Sequence, residues 1–154
     1  AGTNPFAPHQ FVLDTSVANS STGAANVTGF VFTFAANKTY LIDFAGVFTS
    51  AAVTTGLNMG LDVSTGVTQV AWYSLFPFTV SGAPQGGTQV IDDTAQTTSA
   101  GVFSSGASGM PIFGHGILRS AATGGTCQLR FRSEITGSAI TIVSGSAWRV
   151  MLMN

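Results

Sequence analysis

The sequence predicts an all-β protein: an antiparallel β-sandwich or jelly roll of about eight strands, with essentially no helix. Three observations predict it. Short runs alternate between apolar and polar residues, small groups of Gly, Ser and Thr separate these runs, and nowhere does an apolar helical spacing persist. Regular short strands with polar turns are typical of sandwiches and barrels. An eight-stranded jelly roll is the preferred architecture, and an up-and-down barrel is the alternative.

The alternation is clearest in the C-terminal third of the chain. Cys127, Leu129 and Phe131 fall on one side of a strand, whereas Arg130 and Arg132 fall on the other. The alternating runs of this third are 114–119, 127–132, 139–143 and 148–153. Because short small-residue turns join them, we expect an antiparallel β-meander with one apolar wall and arginines on the opposite wall.

The first half of the chain contains five further strand patterns. The strongest is 40–48, where Tyr40, Ile42 and Phe44 share one side and Asp43 lies on the other. The patterns of this half are 11–13, 30–34, 40–48, 57–63 and 70–78. Their apolar sides are expected to face a common core.

The length of 154 residues predicts a single domain that spans 11–154. Residues 1–10 precede it and contain Pro5 and Pro8, which predicts an extended N-terminal arm because proline is excluded from central strands. Residues 81–109 are rich in Gly, Ser and Thr, and we expect them to form a long loop excursion. Loops of this length are usually functional or form contacts.

The composition limits the classes of function. Hydrophobic residues make up 45% of the chain and charged residues only 7%, compared with about 25% in an ordinary soluble domain. The net charge of −1 provides no basic field for nucleic acid. No apolar run approaches the roughly 18 residues of a membrane span, and the lack of a leader pattern predicts synthesis in the cytoplasm. With so few charges, we expect other protein to cover much of the surface.

The sequence offers little for catalysis or for a cofactor. The two histidines, His9 and His115, have no serine at a spacing typical of a catalytic triad, so we expect no enzymatic activity. The lone cysteine, Cys127, falls on an inward position and is expected to be a small buried hydrophobe. The doublet Asp92 and Asp93 lacks the pattern of a calcium loop and is expected to be a solvated turn. We expect no metal and no cofactor.

Three groups of residues are candidates for contacts with other proteins. The first lies in or beside the N-terminal arm, and the second lies in the excursion as a possible partner-binding loop. The candidates of these two groups are Pro5, Phe6 and Phe11 in the first, and Asp92, Asp93 and Phe103 in the second. The third group consists of Arg130, Arg132 and Arg149, which we expect on one face. We expect them to form ion pairs with Glu134 and the aspartates, or to lie at an oligomer contact between subunits, where arginine is enriched.

The order of the motifs carries a resemblance. The motifs are VTGF (27–30), KTYLIDF (38–44), GIL (116–118), GTCQLRFRSE (125–134), GSAITI (137–142) and GS (145–146). Their succession resembles small β-rich structural proteins of tailed bacteriophages, including capsid decoration proteins and the distal domains of tail and head fibres. It is more loosely similar to tumour-necrosis-factor-like jelly rolls, which trimerise. The resemblance covers 28–151, except for the excursion.

The resemblance implies a virion structural protein. Its first implication is a capsid decoration (cement) protein, made in the host cytoplasm and located on the outer capsid surface. This protein is expected to be a homotrimer whose partners are itself and the major capsid protein or other virion proteins. The alternative is the receptor-binding tip of a tail or head fibre, in which the excursion and aromatics such as Trp72 and Tyr73 contact a receptor. A third interpretation is a secreted carbohydrate-binding module or hydrolase. It is disfavoured because most aromatic residues fall on inward positions.

Overall fold

The computed structural model describes residues 9–64, 66–76, 85–91 and 109–153. These residues contain eleven strands and no helix, so the predicted all-β class is confirmed. The strands are β1 (His9–Val12), β2 (Val17–Asn19), β3 (Ala25–Phe34), β4 (Thr39–Ser50), β5 (Leu57–Val63), β6 (Val67–Phe76), β7 (Gln85–Ile91), β8 (Met110–Ser120), β9 (Gly125–Ser133), β10 (Ile140–Ile142) and β11 (Ala147–Leu152). No described segment is a helix long and apolar enough to span a membrane.

The strands form two antiparallel sheets that face each other. The larger sheet has the order β1-β11-β4-β8-β6-β7, and β10 joins it between β4 and β2. The smaller sheet has the order β3-β9-β5. The pairs β4–β8, β3–β9 and β1–β11 are nested in the sequence, which is the wrapping of a jelly roll. The predicted antiparallel sandwich is therefore confirmed.

The predicted C-terminal meander is wrong. Strand β8 pairs with β4 and β6, strand β9 with β3 and β5, and strand β11 with β1 and β4. Among the described strands, only β6 and β7 pair with their immediate successor or predecessor along the chain. The small-residue turns after β8 and β9 carry the chain from one sheet to the other. Alternation determines which side of a strand is buried, but it does not determine which strand lies beside it.

The number of strands is larger than the eight or so predicted. Strand β2 lies in a Ser/Thr/Asn-rich stretch that reads as a loop, and three residues are too few to show alternation. Strand β7 lies inside the predicted excursion 81–109 and pairs with β6 despite its two glycines. Strand β1 includes the last two residues of the predicted arm 1–10. The rest of the arm and most of the excursion lie outside the described residues.

Aromatic side chains fill the space between the two sheets. Phe30, Phe32 and Phe34 all point inward from β3, as the sequence predicts. Trp148 of β11 is fully buried, and its ring centroid lies 5.9 Å from that of Phe30 and 5.7 Å from that of Phe32. Each such ring contributes roughly 0.5–1.5 kcal/mol beyond its buried area. This packing covers the inner side of the larger sheet and leaves large hydrophobic side chains exposed on its outer side.

Candidate interaction surface

The outer face of the larger sheet is apolar and exposed. Five large hydrophobic side chains on four of its strands point away from the core, since they alternate with buried residues. Their exposed fractions are 60% for Val12, 40% for Val47, 42% for Tyr73, 46% for Phe113 and 43% for Ile117. Single exposed hydrophobics are normal, but a group on one face of one sheet is typical of an interaction site. We call this surface the outer face.

Three polar residues cross the middle of the outer face on three adjacent strands. Asp43 of β4 lies opposite His115 of β8 on one side and opposite Arg149 of β11 on the other. The Nδ1 atom of His115 lies 2.7 Å from Oδ1 of Asp43, and Nη2 of Arg149 lies 2.7 Å from Oδ2. We call these three residues the charge row. The charge row places the ion pair of Arg149 and Asp43 at the centre of an otherwise apolar surface.

The charge row lowers the pKa of Asp43 and orients the ring of His115. Partial burial alone raises the pKa of Asp43, but hydrogen bonds from Arg149 and His115, together with their charges, outweigh it and lower this pKa below its usual value. Because a carboxylate only accepts hydrogen bonds, Nδ1 of His115 donates to Oδ1 of Asp43. The Nε2 atom of His115 faces away from Asp43, and the imidazole side chain is 61% exposed.

The glycines on either side of His115 have a packing role. Gly114 and Gly116 point inward, where the buried indole of Trp72 lies across β8. A Cβ atom on Gly114 would lie 2.2 Å from two ring carbons of Trp72, so no larger residue fits there. The predicted contact of Trp72 with a receptor is therefore wrong, because its side chain is only 1% exposed. Tyr73, the other aromatic named for that role, does lie on the outer face.

A slot of about 510 Å3 opens on the outer face beside the charge row. Phe113 forms one wall and Val12 the other, while Ala45 and Ala147 form the floor between them. The residues that line the slot include the His115–Asp43 pair but supply no hydroxyl or thiol. That pair therefore has no nucleophile to activate among them. The chemistry of the slot is that of a binding surface, with apolar walls and one polar end.

The arginines do not share one face, contrary to the prediction. Arg130 and Arg132 lie on β9 of the smaller sheet, whereas Arg149 lies on β11 of the larger one. The reason is the sheet crossing described above, which separates strands that the meander would have placed side by side. The structure also places Arg119 on β8, in the larger sheet.

The ion-pair interpretation of the arginines is confirmed for two of them. Arg149 pairs with Asp43, and Nη1 of Arg130 lies 3.0 Å from Oδ2 of Asp62. The Nη2 atom of Arg130 also donates to the carbonyl oxygen of Ala24 at 2.7 Å. Glu134 has a different partner from the one expected, since its carboxylate accepts the backbone N–H of Gly56 at 2.8 Å.

The remaining candidate contact residues stay predictions. Phe11 is half-buried, and its ring centroid lies 5.9 Å from that of Trp148, so its side chain belongs to the edge of the core. The other candidates fall outside the described residues: Pro5, Phe6, Asp92, Asp93 and Phe103. Sequence reasoning missed Phe113 and Ile117 of the outer face. The signal that could have found them is that 110–118 carries apolar residues on both sides of one strand.

Comparison with known proteins gives only distant structural likenesses. No family model and no curated protein matches the chain. Among solved structures, Eiger TNF from S. frugiperda is 11% identical over 98% of this chain and 94% of that one, with a TM-score of 0.46. The Gt strain of infectious bursal disease virus gives 13% identity over 96% of this chain and 40% of that one, with a TM-score of 0.27. A putative sugar binding protein from Bacteroides thetaiotaomicron gives 8% identity, 92% and 87% coverage and a TM-score of 0.32.

Proposed function

We propose that the protein is a virion structural protein: a capsid decoration (cement) protein that binds the outer capsid surface as a homotrimer and stabilises the shell. The observation that carries the proposal is the exposed apolar outer face, on a chain with only 7% charged residues. A surface of this kind requires a protein cover, and few charges elsewhere oppose association. Its partners are copies of itself and the major capsid protein.

The role is mechanical, and the fold suits it. Each apolar square ångström that such a contact buries contributes about 25 cal/mol before the cost of association is subtracted. The antiparallel ladders brace the outer face, because β4 pairs with β8 over ten consecutive residues. The charges at its centre are already paired within the chain, so burial does not isolate a charge. A rigid contact surface of this kind transmits load between the subunits that it bridges.

The direct test is immuno-electron microscopy of intact particles from the source, with antibodies raised against this chain. Label distributed over the outer shell is the expected result, and particles without label contradict the proposal. A deletion variant tests the predicted arm. Because His9 begins β1, the deletion must stop at residue 8 to leave the strand intact. The proposal expects fewer copies per particle with this deletion and an unchanged unfolding temperature, and equal occupancy contradicts the role of the arm.

The alternative function is the receptor-binding tip of a tail or head fibre. The exposed rings of Tyr73 and Phe113 favour it, because they flank the hydrogen-bonding groups of His115 on one accessible surface. Label restricted to the ends of fibres would select this alternative. Binding of the purified chain to host cells, lost in Tyr73→Ala but kept in Val53→Ala, would support it further. Val53 is exposed but lies between β4 and β5, outside the outer face.

A further inference from the structure

One row of side chains on the outer face combines a projecting aromatic ring with a gap, which is the slot beside the charge row. Phe113, Ala45 and Ala147 lie opposite one another on β8, β4 and β11, and Val12 of β1 follows as the next residue of the row. The row is therefore large, small, small, large. Neighbouring strands lie about 4.8 Å apart, so the two large side chains are separated by roughly 14 Å. A gap of this width, over two alanines, accepts one aromatic ring from outside.

The ring that could fill the gap is present on the same surface. Phe113 is 46% exposed, although a phenylalanine on a solvated sheet face gains nothing from that exposure. A ring and a gap on one face are complementary between two copies of the chain, since the ring of one copy can fill the gap of the other. No foreign partner has to be assumed to match them.

The size of the outer face agrees with a contact between copies. Ten paired residues of β4 and β8 span about 33 Å, and four spacings across the strands from β1 to β6 span about 19 Å, so the sheet area is roughly 600 Å2 before the relief of the side chains is added. Specific interfaces bury about 800 Å2 on each partner. One copy laid against another would therefore use most of this face.

The charges of the outer face also favour a second copy. At its centre, Arg149 and Asp43 compensate each other, and the nearest further charged group on its described strands is Arg119, toward the end of β8. A surface with no net charge at its centre can meet its own copy without like-charge repulsion. A strongly charged partner would find no opposite field there.

We propose that a second copy of this chain docks on the outer face, and that Phe113 of one copy enters the gap over Ala45 and Ala147 of the other. This inference rests on the proposed oligomeric decoration function and specifies the surface that it uses. The polar end of the gap, with Nε2 of His115 and the guanidinium group of Arg149, lies beside the inserted ring.

The test is sedimentation velocity of the full chain over a range of concentrations. Three variants separate the parts of the contact. Phe113→Glu removes the ring, Ala45→Phe fills the gap, and Ile135→Glu places the same charge on another exposed hydrophobic residue, in the connection between β9 and β10. All three change exposed side chains, and thermal unfolding followed by circular dichroism checks that each one folds.

The expected result is that the wild-type chain and Ile135→Glu associate alike. Phe113→Glu and Ala45→Phe should each weaken association by at least about tenfold, as for a central contact residue. A wild-type chain that stays monomeric at its highest soluble concentration overturns the inference. Association of both outer-face variants with wild-type affinity overturns it as well.

The two proposals fail separately. A monomeric chain that nevertheless labels the outer shell of particles removes the contact between copies and leaves the decoration function standing. A chain that associates through the outer face but is absent from particles removes the decoration function and leaves this contact standing.

Discussion

His115 and Asp43 lie directly opposite each other on neighbouring strands, and 2.7 Å separates the Nδ1 and Oδ1 atoms of their side chains. Arg149 completes the row from the other side of Asp43. The three residues are far apart in the sequence, and the jelly-roll pairing of β8, β4 and β11 brings them together. The row provides the polar contacts of a surface that is otherwise apolar.

The first prediction concerns pH and Asp43→Asn. The pKa of Asp43 in the folded chain lies below its ordinary value, so the carboxylate stabilises the fold at neutral pH. Because this pair lies at the surface, the variant should lose only about 0.2–1 kcal/mol at pH 7. The difference between wild type and variant should shrink as the pH falls through the ordinary value of about 3.9 and should vanish below the lowered pKa.

Urea unfolding at pH 7, 5 and 3 measures this difference in the free energy of unfolding. Asp14→Asn is the control, since Asp14 is an exposed residue between β1 and β2. If the difference for Asp43→Asn stays constant over the whole range, the charge row contributes nothing through ionisation.

The second prediction concerns Gly114→Ala. The added methyl group would lie 2.2 Å from Trp72, whose buried indole has no room to move, so the variant should lose about 1–3 kcal/mol or more. The loss should be smaller in a Trp72→Phe background, because phenylalanine lacks the two ring carbons that clash. Urea unfolding of the wild type, the two single variants and the double variant gives the coupling free energy between the two positions. Equal losses in both backgrounds would show that the indole does not exclude a side chain at position 114.

The third prediction ranks the arginines. Arg130 is only 27% exposed and holds both the carboxylate of Asp62 and the carbonyl oxygen of Ala24. Arg130→Ala should therefore cost about 1.5–3 kcal/mol, as for hydrogen bonds to charged groups. Arg149→Ala should cost about 0.2–1 kcal/mol, because Arg149 is 47% exposed. Chemical denaturation gives both values, and a reversed order would contradict the stronger hydrogen bonding of the half-buried Arg130.

The fourth prediction concerns the thiol of Cys127. Burial raises the pKa of this thiol, and the nearby charge of Asp62 raises it further. The folded chain should therefore react with a disulfide reagent only as fast as it unfolds, whereas the chain in denaturant should react at once. The rate at which the disulfide reagent releases its thiolate leaving group at mildly alkaline pH measures the reactivity of Cys127. Rapid reaction of the native chain would contradict the buried position on β9.

The fold class could be predicted from the sequence because burial is a local property of each strand. Leu129 and Phe131 alternate with Arg130 wherever β9 lies, so the inward side is visible without a structure. The partner of β9 is not a local property. Whether it pairs with β8 or with β3 depends on where the two apolar sides meet, and a turn of small residues is compatible with both.

The candidate surface was less visible in the sequence. Asp43 and Arg149 could each be placed on an outward position, but their contact requires the pairing of β4 with β11. The sequence of β8 hides the exposed Phe113, because both sides of this strand carry large apolar residues. The two glycines beside His115 become interpretable only once Trp72 of the neighbouring strand lies over them.

The central claim is that protein covers the outer face in the assembled state. A single cysteine reports this directly when it is introduced as Ile117→Cys on the outer face or as Val53→Cys on the loop between β4 and β5, since the natural Cys127 is buried. The measurement is the rate of maleimide labelling as a function of protein concentration. The account predicts that labelling at position 117 slows with increasing concentration, while labelling at position 53 stays fast. Equal and constant labelling rates at both positions would contradict it.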